Sequence, residues 1–213
     1  MSTVTPITDL SQTVSVGSTR WLKLETLTYT DQTGKERKWD RAVRATKQSE
    51  TSIDAVAILA TLVDTATASS SILLVKQFRP AVNAYTLELP AGLVDKNEST
   101  GTAALRELKE ETGYVGKIVS CGELQDTSGF PLSPGMSNES VSLVEVTVDL
   151  SLPENQHPLP SPDEGEFVQV FKVSKNNLLA ELTRLQKEDP KVQIFIGLWT
   201  LARGIELGKA MMK

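Results

Sequence analysis

Glu107, Glu110 and Glu111 crowd one end of the stretch GLVDKNESTGTAALRELKEETGY, residues 92–114. On a helix, like charges at i,i+4, as Glu107 and Glu111 are, repel by about 0.2–0.5 kcal/mol. With Leu108 at zero on a helical wheel, Ala104, Leu105 and Thr112 fall within about 60° and form the buried stripe. Glu111 then lies at about −60°, Glu107 at about −100° and Glu110 at about −160°. The carboxylates thus share one flank that begins at the edge of the stripe. A purely solvated face would set its acids opposite the core and interleave them with bases, yet only Arg106 and Lys109 are at hand. Mg²⁺ suits such a flank, because it takes carboxylate oxygens, keeps several waters and bridges to substrate phosphates. On spacing alone a Glu-rich solvated helix is the equal alternative.

Composition removes other chemistries. Cys121 is the only cysteine, which excludes an internal disulfide and a thiolate metal cluster, and in the strand-like run KIVSCGEL it reads as a buried spectator. His157 is the only histidine and sits in the proline-rich PENQHPLPSP, so Ser-His-Asp and Cys-His catalysis and multi-histidine zinc sites are poor candidates. A net charge of −5 over 213 residues gives no general attraction for nucleic acid or an anionic membrane, so neither is an expected partner and any phosphate binding must be local. No window reaches the roughly 18 apolar residues of a membrane span, and the first twenty residues lack a targeting pattern. The expected location is cytoplasmic, with the nucleus as the alternative.

The acids must be held by surrounding elements. Residues 1–19 show no periodicity and are expected as a flexible tail. WLKLETLTY, the turn DQTGKE and RKWDRAVRA predict a β-hairpin, making residues 20–50 a small N-terminal β-lobe too slight to be comfortable alone. Residues 51–213 are expected to form the main domain. Strands are predicted over 53–63, 71–79, 84–90, 116–124, 141–150 and 166–173. A helix is predicted over 101–112, with Ser99 or Thr100 as N-cap and Gly113 at its end. Two closing helices are predicted at NNLLAELTRLQKE and at PKVQIFIGLWTLARGIELGKAMM, the second opened by Asp189 and Pro190. Strands with helices not alternating one for one predict an α+β fold.

Gly92, Glu98 and the run Arg106-Glu107-Leu108-Lys109-Glu110-Glu111-Thr112-Gly113-Tyr114 together resemble the Nudix box, G-x5-E-x7-R-E-U-x-E-E-x-G-U, with every fixed identity in register. Tyr114 departs from the final aliphatic position but keeps a large apolar body. The resemblance implies a Nudix fold, a mixed β-sheet in an α/β/α sandwich, with the box forming a loop-helix-loop that binds Mg²⁺ or Mn²⁺. It implies metal-facing Glu107, Glu110 and Glu111, a further ligand in the Ala91 carbonyl, and Arg106 with Glu98 as braces. The implied reaction is hydrolysis of a nucleoside diphosphate linked to another group.

VKQFRP, ELPAG, SPGMSNE (133–139) and DEGEFV (163–168) extend the resemblance to the ADP-ribose (ADP-sugar) pyrophosphatase branch. That branch implies a homodimer with exchanged N-terminal lobes, Trp21 and Trp39 sandwiching adenine, Arg44 and Arg79 on the diphosphate, and Glu88 on a ribose hydroxyl or water. The tryptophans, read without the resemblance, would be lobe core, and the arginines surface ion pairs. Glu166 is implied as general base or extra ligand, completing with Glu110 and Arg106 the catalytic set, although Asp163 and Glu164 stand beside it. The proline-rich SLPENQHPLPSP reads as a lid or as a connector. The expected substrate is ADP-ribose. Another nucleoside diphosphate sugar, an oxidised nucleoside diphosphate, or binding without cleavage are the alternatives.

Overall fold

The computed structural model describes residues 10–64, 69–121 and 129–212. Two units emerge, residues 1–54 with 123–141, and residues 55–122 with 142–213.

The first unit is built on β1 (Leu10–Ser18), β2 (Leu22–Thr30) and β3 (Glu36–Arg44), an antiparallel sheet in that order. The predicted hairpin is β2 and β3, paired from Leu22 opposite Arg44 to Thr30 opposite Glu36. Residues 10–18 of the expected tail are instead β1, a strand registered on β2 with two irregularities. LSQTVSVGS is too polar to announce a strand, and only β2 supplies its partners. Residues 1–9 lie outside the described residues. The SPGMSNE segment also joins this unit, since the Ala42 amide donates to the Met136 carbonyl at 2.9 Å. The lobe expected at 20–50 therefore runs to Asp54 and takes in a piece that is distant in sequence.

In the second unit β4 (Ala55–Asp64) shows the pattern of a strand with one face in a core, its Val56, Ile58, Ala60 and Leu62 all at most 2% exposed. It lies in a mixed sheet with β5 (Ser69–Arg79), β6 (Ala84–Glu88), β7 (Ala91–Leu93), β8 (Lys117–Cys121), β10 (Ser140–Asp149), β11 (Gln169–Ser174) and β12 (Val192–Ile194). The two-residue β9 (Phe130–Pro131) pairs with the first residues of β10. The main order is β12-β6-β5-β4-β10-β8, with β7 on β4 and β11 on β5.

The sheet is covered on both faces. Leu73 faces α1 (Thr100–Thr112) and a core of Val56, Ala104, Leu108, Tyr114 and Val146. Its neighbours Ile72 and Leu74 face α2 (Leu178–Glu188) and α3 (Ile196–Met211), with Leu87, Leu182 and Leu198. This is the expected α/β/α layering. The second closing helix begins later than predicted, because Val192–Ile194 forms a parallel strand on β6 before α3 starts. β-Branched Val192 and Ile194 suit a pleated edge, and that edge is provided by a strand more than a hundred residues earlier. Asp189, expected as the helix cap, takes the Lys76 ammonium at 2.7 Å instead.

Candidate active site

α1 is capped as its sequence dictates. Ser99 Oγ accepts the Thr102 amide at 3.1 Å, and Gly113, at φ 76°, ends the helix by donating its amide to the Lys109 carbonyl. Ala103, Ala104 and Leu108 anchor the helix on the sheet, which fixes the flank carrying the acids. Tyr114 is buried in the same core, so it does keep the apolar role of the position it fills.

Arg106 is the hub of that flank. Its Nε and Nη2 bind the Glu98 carboxylate at 3.0 and 2.9 Å, Nη2 also donates to the Leu93 carbonyl, and Nη1 donates to Glu107 at 2.7 Å and Glu110 at 3.1 Å. Every guanidinium hydrogen is thereby used. Arg106 ties the loop before α1 to two of its carboxylates with all its donors engaged, the arrangement of a brace, as Glu98 is. The hydrogen bonds from Arg106 hold Glu98 below the ordinary carboxylate range despite some burial.

Glu111 is 3% exposed, and its Oε2 accepts the Ala91 amide at 3.0 Å. Burial pushes it up to about 8; the Ala91 bond opposes the rise, and the nearby charges of Glu107 and Glu166 add to it. Burial also raises Glu107, partly offset by Arg106 and reinforced by Glu110 and Glu166. The backbone at Gly92 cradles Glu107, since a Cβ there would lie 1.9 Å from the Glu107 carboxyl carbon. Among the described residues no three acidic, histidine or cysteine side chains form a ready-made cage. The carboxylates rest instead on Arg106 and the Ala91 amide. Their chemistry nevertheless fits a divalent cation: hard oxygen donors, with Glu107 and Glu111 raised by burial and by neighbouring carboxylates, beside a glycine whose missing side chain leaves room for the Glu107 carboxylate.

Arg79, at the end of β5, grips Glu88 through Nε at 3.0 Å and Nη2 at 2.8 Å. The Glu88 bond raises Arg79, and so do the charges of Glu111 and Glu166, which places all of them in one electrostatic neighbourhood. Both Glu88 oxygens are occupied, Oε1 also by the Thr86 hydroxyl. Glu88 is thus engaged by Arg79 and Thr86, with acceptor capacity left on Oε2, which takes one bond. In this structure it holds an arginine.

Glu166 is exposed on the loop before β11, its amide bonded to the Asp163 carbonyl at 3.0 Å. Beside it runs an open groove of about 580 Å³, lined by Lys76, Tyr85, Pro160, Pro162, Glu166 and Phe167 among others. SLPENQHPLPSP is fastened along its length: buried Asn155 bonds Val115 and Asp149, and the Ser161 amide donates to the Glu110 carbonyl at 2.8 Å. That favours a connector over a lid.

In the first unit Trp21 and Trp39 are 55% and 49% exposed, so neither fills a lobe core. They are not together either. Trp39 pairs opposite Leu27, and Trp21, one residue before Leu22, lies six residues along the strand from that point, about 20 Å. One lobe cannot close both rings on one base. Arg44 is ion-paired to Glu139 of SPGMSNE, and the Arg20 guanidinium lies 4.6 Å from the centre of the Trp21 ring. Thr86 was not marked by sequence pattern, and Glu139, the last residue of SPGMSNE, was not marked as the partner of Arg44. Thr86 could have been found from its i,i+2 spacing to Glu88 on one strand face; the pairing of Glu139 with Arg44 spans 95 residues and carries no local signal.

A NUDIX domain model matches residues 53–192. The chain is 42% identical to an ADP-ribose pyrophosphatase of Saccharomyces cerevisiae over 190 residues, 89% of this chain and 79% of that one. It is 41% identical to an ADP-sugar pyrophosphatase of Mus musculus over 169 residues, covering 79% and 74% of the two chains. A solved structure described as an ADP compounds hydrolase superposes with a TM-score of 0.59 at 19% identity over 98% of both chains, a likeness of fold.

Proposed function

The chain belongs to the NUDIX domain family of hydrolases, and on that premise we propose that it splits the diphosphate of ADP-ribose with water, giving AMP and ribose 5-phosphate. The observation that carries the reading is the placing of Glu107 and Glu111 against the Ala91–Gly92 backbone, within electrostatic reach of Glu166 and Arg79. Carboxylates alone would repel a diphosphate, so acids and substrate can share this site when a cation lies between them.

Nudix hydrolases generally use divalent metal ions, and the assignment here is Mg²⁺, with Mn²⁺ as substitute, held by Glu107, Glu110, Glu111 and the Ala91 carbonyl. When bound, such an ion neutralises phosphate charge and acidifies water. Arg106 and Glu98 fix the helix flank that presents these ligands. Glu166, exposed and within electrostatic reach of Glu107 and Glu111, takes the proton of the attacking water. Arg79 and Arg44 hold the diphosphate, for which a planar guanidinium is well shaped.

Trp21 and Trp39 are assigned to the two faces of adenine. Because their separation along the hairpin prevents this within one chain, the rings come from two copies, in a homodimer with exchanged N-terminal lobes. The exposed Leu10, Val14, Leu22 and Leu24 of that lobe support association.

The test is an initial-rate panel with Mg²⁺ and ADP-ribose, ADP-glucose, GDP-mannose, UDP-glucose and 8-oxo-dGDP, products being separated chromatographically. AMP and ribose 5-phosphate at the highest kcat/KM are expected; a higher value for a non-adenine substrate would overturn the assignment.

A further inference from the structure

We infer that Thr86 is a positioning residue for substrate binding: its hydroxyl fixes Glu88, and Glu88 fixes the guanidinium of Arg79. The inference rests on the reading that Arg79 holds the diphosphate, and adds a residue that neither motif nor resemblance assigns.

Thr86 and Glu88 stand two residues apart on β6 and therefore point to the same face of the sheet. Thr86 is 9% exposed, and its Oγ has two acceptors in reach, the Glu88 Oε1 and the Gln77 carbonyl at 3.3 Å. A hydroxyl has one proton to donate. The shorter contact is to the carboxylate, the stronger acceptor, so the proton goes to Glu88.

Glu88 Oε1 then accepts from Thr86 and from Arg79 Nε together, while Oε2 accepts from Nη2. A carboxylate tied only to arginine could rotate with it; the third bond, from a buried strand residue, pins the carboxylate plane. The Arg79 side chain is 44% exposed and without that pin would spread over several rotamers. Its Nη1 has no partner among the described residues and is the end offered to a ligand, in the field of Glu111 and Glu166. The relay thus prepares the guanidinium before substrate arrives, and such preorganisation lowers the cost of binding.

The experiment compares Thr86→Val, Thr86→Ser, Arg79→Gln and the Thr86→Val/Arg79→Gln double variant, using Mg²⁺-saturated ADP-ribose hydrolysis and melting temperature. Thr86→Val keeps the shape of threonine without the hydroxyl, and is expected to raise KM about tenfold with kcat within about twofold, the size of one lost charge-assisted hydrogen bond. Thr86→Ser is expected to restore KM to within about twofold. In the Arg79→Gln background Thr86→Val is expected to add nothing, because the relay has lost its end. If valine lowers the melting temperature by more than a few degrees, Thr86→Ala replaces it, with the serine rescue still deciding.

A serine variant as impaired as valine would make Thr86 a packing residue and overturn the inference, and so would equal effects of Thr86→Val with and without Arg79. An unchanged KM in Arg79→Gln would overturn the assignment of Arg79 to the diphosphate, and the relay with it. A clear Arg79→Gln defect beside a silent Thr86→Val would overturn the relay alone.

Discussion

The Glu111 carboxylate accepts the backbone amide of Ala91 at 3.0 Å, across 20 residues of chain. That one bond joins the acidic flank of α1 to the start of β7, where the Ala91 carbonyl and the Gly92 hollow stand. Glu111 is thereby held still while it remains buried, with the charge of Arg79 only partly offsetting burial and the neighbouring carboxylates, which suits a group that waits for a cation.

Gly92→Ala should separate site from fold. The three atoms nearest the added methyl belong to the carboxyl end of Glu107, at 1.9–2.3 Å, and a flexible side chain can swing away from it. A change in melting temperature of no more than about 4 °C is expected. Displacing the ligand should lower kcat/KM about 100-fold or more. Thermal unfolding and initial rates measured on the same preparation check both.

Arg106→Lys should show that charge alone does not suffice. Lysine keeps the cation but cannot reproduce five directed donors, so Glu98, the Leu93 carbonyl, Glu107 and Glu110 cannot all be satisfied together. A stability loss of about 1–2 kcal/mol is expected, kept modest by the partial exposure of the arginine. The kcat should fall more steeply than that loss explains. Urea unfolding and steady-state kinetics measure the two.

Glu111 also sets a pH dependence of stability in the metal-free protein. Its pKa in the fold is about 8, against roughly 4.3 unfolded, so between these values the folded state binds the extra proton. Stability from this group is full below about pH 4.3 and is lost as pH rises toward 8, with a slope of at most about 1.4 kcal/mol per unit. In chelator, Glu111→Gln should flatten the fall in melting temperature between pH 5 and 8 and be more stable than the parent at pH 8. Glu88 works in the opposite sense: burial raises it, but the bonds from Arg79 and Thr86 outweigh burial and hold it low. Its contribution is present above about pH 4.3 and lost as pH falls through its lowered value.

Trp39→Ala should raise the KM for ADP-ribose about 5- to 150-fold, the range for losing one stacked base face. The ring is 49% exposed, so the melting temperature should move little. An unchanged KM would remove Trp39 from the base site.

Much of this was written locally in the chain. The carboxylate helix could be read almost to the residue, because Ser99, the apolar spacing of Ala104 and Leu108, and Gly113 all act within a turn or two. What depended on distant partners was not legible. β1 is a strand only through β2, and Val192–Ile194 is a strand only because β6 offers an edge. The site divides in the same way. Charge spacing revealed Glu107, Glu110 and Glu111, whereas the closing of Glu88 on Arg79 is a tertiary event between side chains that could each have served a ligand. The tryptophan sequence positions did not disclose how far apart the hairpin holds them.

The central claim is that the α1 carboxylates bind the divalent ion on which diphosphate hydrolysis depends. The most direct measurement is ADP-ribose turnover as a function of Mg²⁺ concentration for the parent and for Glu111→Gln. The parent should show saturable metal dependence, and Glu111→Gln a kcat lowered about 100-fold or more that excess Mg²⁺ does not restore. Normal turnover by Glu111→Gln at saturating Mg²⁺ would contradict the account.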